Sequence, residues 1–126
     1  MKQVINTSKA PSAIGPYSQA ILSNGTLFIS GQIPLNPETG ELVEGIEAET
    51  TQVMKNLEAI LTEAGLNFSH VVKTSIFLSN MDDFAKVNEI YTSFLGNITF
   101  PARETVQVSC LPKNVNIEIS MIAHQD

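Results

Sequence analysis

The spacing of apolar residues changes along the chain, and those changes divide it into elements. Val4 and Ile5 predict a short first strand. Residues 7–16, rich in Ser, Ala, Pro and Gly, predict an irregular segment. Residues 18–23 and 26–30 read as two strands. Between them stands Asn24-Gly25, a pair that tolerates positive φ and suits a tight hairpin. Pro34, Pro37 and Gly40 then predict a loop.

From Ile46 the period becomes helical. Ile46, Thr50, Val53, Leu57, Ile60, Leu61 and Ala64 share one face, and Gly65 sits where a C-terminal cap belongs. Residues 71–78, rich in β-branched side chains, predict a strand. Asn80 or Asp82 is the expected cap of a second helix with Phe84, Val87, Tyr91, Phe94 and Leu95 on one face, ending at Gly96. Residues 102–108 and 115–123 are the last two strands. The order β, β, β, α, β, α, β, β predicts an α+β fold with two helices on a mostly antiparallel sheet.

Two helices cover only one face of such a sheet. In the last strand Val115, Ile117, Ile119 and Met121 point toward the helices, and Asn116, Glu118, Ser120 and Ile122 point away. That mixed second face suits either water or another subunit.

Composition narrows the partners. The chain has 126 residues, the size of one domain, and 43% are apolar, enough for a core. Thirteen acidic against seven basic residues leave a net charge of −6, which repels a phosphate backbone, and Lys and Arg form no run. No stretch approaches the length of a membrane helix, and the first residues carry no apolar leader, so a cytoplasmic protein is expected. Cys110 is the lone cysteine, which excludes an internal disulfide, and its expected state is a buried, inert thiol. His70 and His124 lie far apart and are expected at the surface, so no metal site is expected.

Few residues offer chemistry. Arg103 follows Pro101-Ala102 at the start of a strand and shares a face with Thr105. A guanidinium there can grip a carboxylate through two parallel hydrogen bonds, but spacing alone favours an ion pair with one of the thirteen acids. Glu118 stands between Ile117 and Ile119. It is either a general base whose pKa burial would raise, or a partner for Arg103 or a lysine. Tyr17 is expected to pack in a groove with its hydroxyl wet. Gly31, in Ser30-Gly31-Gln32, permits close backbone approach, by a ligand or only for a turn. On the second helix Tyr91 reads as core and Asn88 as either surface or contact.

Taken together, five segments in order resemble the RidA/YjgF family of enamine/imine deaminases. They are residues 13–19 (Ala-Ile-Gly-Pro-Tyr-Ser-Gln), 30–34 (Ser-Gly-Gln-Ile-Pro), 87–91 (Val-Asn-Glu-Ile-Tyr), 101–103 (Pro-Ala-Arg) and 117–119 (Ile-Glu-Ile). The resemblance runs the length of the chain and treats residues 1–126 as one RidA-like domain. It implies a chorismate-mutase-like fold and a homotrimer with sheets at the centre, helices outside and clefts between subunits. It implies hydrolysis of 2-imino acids such as 2-iminobutanoate and 2-iminopropanoate to 2-keto acids and ammonia, with no cofactor or metal. By that likeness Arg103 binds the substrate carboxylate, Glu118 holds or activates water, and Tyr17 closes the pocket from a neighbouring chain. Ser30, Gly31, Asn88 and Thr105 complete the substrate-binding set.

One departure stands out. Many relatives have a small residue and then a cysteine after the arginine, where this chain has Glu104 and Thr105. Alternation puts Glu104 on the face opposite Arg103. The rival expectations are a non-catalytic protein that binds small carboxylates or regulates through the same clefts, and a ribonuclease, which the net charge opposes.

Overall fold

Alternation in the last strand organises the whole molecule. In the computed structural model, which describes residues 1–126, Ile117, Ile119, Met121 and Ala123 are all buried while Glu118, Ser120 and Ile122 stay half-buried on the other face. A slip of one residue would expose those four and bury Glu118, so the pairing of this strand is strongly specified.

The strands are β1 (Lys2–Ile5), β2 (Ala20–Ser23), β3 (Thr26–Gln32), β4 (Val71–Leu78), β5 (Ala102–Gln107) and β6 (Ile117–His124), and the helices are α1 (Ile46–Glu63) and α2 (Phe84–Leu95). They form one six-stranded sheet in the order β1-β2-β3-β6-β4-β5. Only β4 and β5, joined through α2, run parallel. The last strand inserts between β3 and β4 and is antiparallel to both. The expected element order and α+β class therefore hold.

Local chemistry accounts for the boundaries. Asn24 and Gly25 both take positive φ, 51° and 80°, as the β2–β3 hairpin requires. At the end of α1, Gly65 has φ 76°, its N–H donates to the Thr62 carbonyl at 2.9 Å, and the Leu66 N–H donates to the Leu61 carbonyl at 2.9 Å. This is a Schellman ending with the apolar residue after the glycine tucked inside. The first strand of the hairpin begins at Ala20 rather than residue 18, and β6 begins at Ile117 rather than 115, after a 3-10 turn at Pro112–Asn114. Asn80 caps a 3-10 turn, Met81–Asp83, and not α2 itself, which follows directly at Phe84.

Both helices pack on one face of the sheet. Val53, Met54, Leu57, Ile60 and Leu61 of α1 and Val87, Tyr91 and Leu95 of α2 join the strands in a 22-residue core. Each fully buried Leu or Ile contributes about 1.5–3 kcal/mol. One acid is built into this layer. Glu49 is 3% exposed, and its carboxylate accepts from the Asn116 backbone N–H at 3.0 Å and side-chain amide at 2.7 Å. It thereby ties the first turn of α1 to the start of β6.

The second face is uncovered. Phe28, Val106 and Val4 stand on it 49%, 42% and 59% exposed. Near its middle Lys73 pairs with Glu104 at 3.1 Å. The Ser75 hydroxyl and then Lys73 hold the Glu104 carboxyl below its usual range. Glu104 is therefore on the face opposite Arg103, as alternation requires. No helix is long and apolar enough to cross a membrane.

Candidate functional site

The irregular segment before β2 is held by one buried amide. Gln19 is 2% exposed, its Oε1 accepts from the Thr7 N–H at 2.8 Å, and its Nε2 donates to the carbonyls of Thr7, Ala10 and Pro11 at 3.0, 3.3 and 2.8 Å. The segment that lacks secondary structure thus acquires fixed partners for its backbone. Tyr17 projects from it, and its ring is 53% exposed rather than packed in a groove, with its hydroxyl accepting from the Ile14 N–H at 3.4 Å. The groove that packing would need is not filled because Tyr17 forms the wall of an open cleft.

That cleft has a volume of about 560 Å³ and brings together Tyr17, Ser30, Gly31 and Glu118. Ser30 is fixed through its N–H to the Gln19 carbonyl at 2.9 Å and through its hydroxyl to the Ser18 carbonyl at 2.6 Å. Between Ile29 and Gln32 the pairing of β3 with β6 shifts, so Ser30 and Gly31 form a β-bulge. The bulge makes room for Glu118, because a Cβ on Gly31 would fall 2.0 Å from Glu118 Oε2. The close approach that Gly31 permits is thus to a side chain of its own sheet. Burial pushes the Glu118 carboxyl above its ordinary range, and no ion pair offsets that. Lys113, held at φ 56° in the turn before β6, also lines the cleft. Asn56 of α1 fixes the loop beyond Gln32 by donating to the carbonyls of Ile33 and Leu35 at 3.2 and 3.0 Å.

Arg103 lies elsewhere, in a second cleft of about 350 Å³ with Asn88, Tyr91, Phe100 and Pro101. The expected ion pair is absent, since no acid lies within 4.0 Å of its guanidinium. Alternation sends Arg103 to the helix face at the edge strand, and α2 presents an amide and aromatic rings there in place of an acid. Its Nη1 donates to Asn88 Oδ1 at 2.8 Å, and its guanidinium lies 5.2 Å and 5.6 Å from the ring centres of Tyr91 and Phe84. One of five donors is thereby used, and the charge stays available to an anion.

The two clefts do not meet. Arg103 pairs beside buried Thr74 on the helix face, whereas Glu118 pairs beside Phe77 on the uncovered face. A pairing of Glu118 with Arg103, one of the sequence-based alternatives, is thereby excluded within a chain. Thr105 shares the helix face with Arg103, and its hydroxyl oxygen is buried without a hydrogen-bond partner. Cys110 is exposed, contrary to the expected buried thiol, because it lies in the turn beyond β5 rather than on a strand. No three His, Cys, Asp or Glu side chains converge to ligate a metal.

A family model described as Endoribonuclease L-PSP matches residues 7–125. The chain belongs to that family. Its likeness to the L-PSP proteins extends to both sequence and fold. It is 51% identical to the rat protein named 2-iminobutanoate/2-iminopropanoate deaminase, over 99% of this chain and 91% of the relative. The crystal structure of YyfA, a Rid-family protein from Yersinia pestis, superposes with a TM-score of 0.98 at 53% identity, covering 99% of this chain and 100% of that one. Escherichia coli TdcF with bound serine superposes with a TM-score of 0.95 at 39% identity, covering 98% and 99%. The RidA/YjgF resemblance read from the five segments is therefore borne out.

Proposed function

We propose that this L-PSP-family chain is an imine deaminase, which hydrolyses 2-imino acids such as 2-iminobutanoate and 2-iminopropanoate to 2-keto acids and ammonia. It acts as one domain, residues 1–126, within a cytoplasmic homotrimer and needs no cofactor. The observation that carries this reading is Arg103, an arginine with no acidic partner and four unused donors at the wall of a cleft. An unpaired fork of this kind suits the carboxylate of a small acid. The naming of the 51%-identical rat relative supports the same reaction.

The chemistry asks little of the protein. With Arg103 holding the carboxylate, Glu118 accepts a proton from water while the water oxygen bonds to the imine carbon. The C=N electron pair moves onto the protonated nitrogen and gives a neutral amine. Glu118 then returns its proton to that nitrogen, and the C–N bond breaks as the oxygen lone pair forms the C=O bond, releasing ammonia. The carbinol hydroxyl proton passes to the Glu118 carboxylate and leaves the ketone. A carboxyl raised by burial suits both the accepting and the donating step. Tyr17 closes the Glu118 cleft, which Ser30 and Gly31 line, while the neighbouring chain brings Arg103, with Thr105 next but one on the same strand face and Asn88 setting its direction.

Arg103 and Glu118 must meet across two chains, since one chain keeps them on opposite faces. The exposed Val4, Phe28, Val72 and Val106 are what a neighbouring copy would cover. A ribonuclease is disfavoured by the net charge of −6.

The test couples the protein to a threonine dehydratase and follows 2-ketobutanoate release. Faster release, abolished in Arg103→Ala while assembly persists, supports the deaminase. Carboxylate binding without faster release supports the rival reading of a non-catalytic carboxylate-binding or regulatory protein.

A further inference from the structure

We infer that Phe84 and Tyr91 are positioning residues which hold the Arg103 guanidinium in its carboxylate-binding orientation, deepening the reading above and resting on it for the identity of the ligand. Phe84, Asn88 and Tyr91 occur at i, i+4 and i+7 of α2, so one stripe of the helix carries all three toward Arg103. The amide takes one donor at 2.8 Å, and the two rings lie 5.6 Å and 5.2 Å from the guanidinium carbon. Both distances are within the range in which a ring attracts a cation.

The cradle is itself anchored. Tyr91 is 4% exposed, and its hydroxyl donates to Thr74 Oγ1 at 3.0 Å. Thr74 is the residue paired with Arg103 across β4 and β5. The strand pair, the hydroxyl contact and the ring therefore form a closed circuit around the cation. An exposed arginine on an edge strand ordinarily samples many rotamers, and ordering it costs free energy at binding. Here that ordering precedes the ligand, and the donors not used by Asn88 remain for it. A lysine at this position would keep the charge but lose both the planar stack and the fork.

The test uses Phe84→Leu and Tyr91→Leu with the ring-preserving Phe84→Tyr and Tyr91→Phe as controls. In the wild type the guanidinium N–H resonance of Arg103 is expected to be displaced upfield by the rings, and in each Leu variant to return toward the free-arginine position. Calorimetry with 2-ketobutanoate as the probe is expected to show binding weakened about 5- to 10-fold in Phe84→Leu and restored in Phe84→Tyr. In the imine assay KM rises with it while kcat changes less. Phe84 is only partly buried, so its Leu variant stands as the test if Tyr91→Leu fails to fold. Unchanged binding and an unshifted resonance in a folded Phe84→Leu overturn the inference, as does a wild type that binds no 2-ketobutanoate. A wild type that binds 2-ketobutanoate but leaves imine hydrolysis unaccelerated overturns the deaminase reading alone, and the binding series still decides the cradle.

Discussion

A Cβ at Gly31 would stand 2.0 Å from Oε2 of Glu118, 2.8 Å from its Cδ and 3.0 Å from its Cγ. The glycine is therefore required by a carboxylate, and its φ is not the reason, since it lies outside the left-handed region. Gly31→Ala is compatible with the backbone but forces the whole carboxyl end of Glu118 aside. We expect a folded protein, destabilised by about 1–3 kcal/mol through overpacking. Activity is expected to fall about 100-fold, because the proposed base, moved by about 1 Å, loses its attack geometry. Adding Glu118→Ala should recover stability but not activity, and thermal melts beside the coupled assay separate the two.

Glu118 also predicts opposite pH trends for stability and rate. Burial raises its folded pKa above the ordinary 4.5, so the fold prefers the protonated form. Its contribution to stability is therefore complete below the unfolded value and is lost as pH rises through the folded value. Glu118→Gln carries no charge at any pH and should be more stable than wild type near neutrality, with a flatter profile. Turnover should instead rise with pH as the base form appears, giving an acid limb centred above 4.5. A limb at or below 4.5, or a Gln variant less stable at neutral pH, contradicts the assignment.

The helices, the hairpin and the inward face of β6 were legible because each rests on local periodicity or on one turn residue, as at Gly65 and Asn24-Gly25. Arg103 shows where that legibility stops. Alternation places its side chain on the helix face, yet the choice between an ion pair and a free fork depends on what α2 presents there. The stripe Phe84, Asn88, Tyr91 is visible at helical spacing, but the strand register that sets Arg103 beside Thr74 is not. Gln19 was visible only as part of a motif, because its partners Thr7, Ala10 and Pro11 lie in a segment with no period. Cys110 departs from the expected buried thiol for a related reason, since β5 ends at Gln107 and the thiol falls in a turn outside the core.

Gln19 should be as important to the site as the residues that line it. Gln19→Leu preserves volume approximately and strands one backbone N–H and three carbonyls of the Thr7–Pro11 segment. A loss of about 2–4 kcal/mol is expected, since each buried group left unpaired costs on the order of 1–3 kcal/mol and some of these regain water. The same variant should free the Tyr17 segment locally. Hydrogen exchange at residues 12–18 is expected to rise more than exchange in α1, and uniform change across both would show that the amide does not act locally.

The separation of Arg103 from Glu118 yields the most direct test of a shared cleft. Arg103→Ala and Glu118→Gln should each be inactive alone, one lacking the proposed carboxylate anchor and the other the proposed base. If each site takes Arg103 from one chain and Glu118 from its neighbour, unfolding and refolding the two variants together rebuilds some intact sites. For equal amounts mixed at random in a symmetric oligomer, activity should return to about one quarter of wild type. A site built within one chain carries a defect in every copy, and no mixture restores it. Size-exclusion chromatography with light scattering on the same mixture confirms that the copies have exchanged. Absence of any recovery from exchanged oligomers would place both groups in a single chain, against the opposed faces on which β5 and β6 display them.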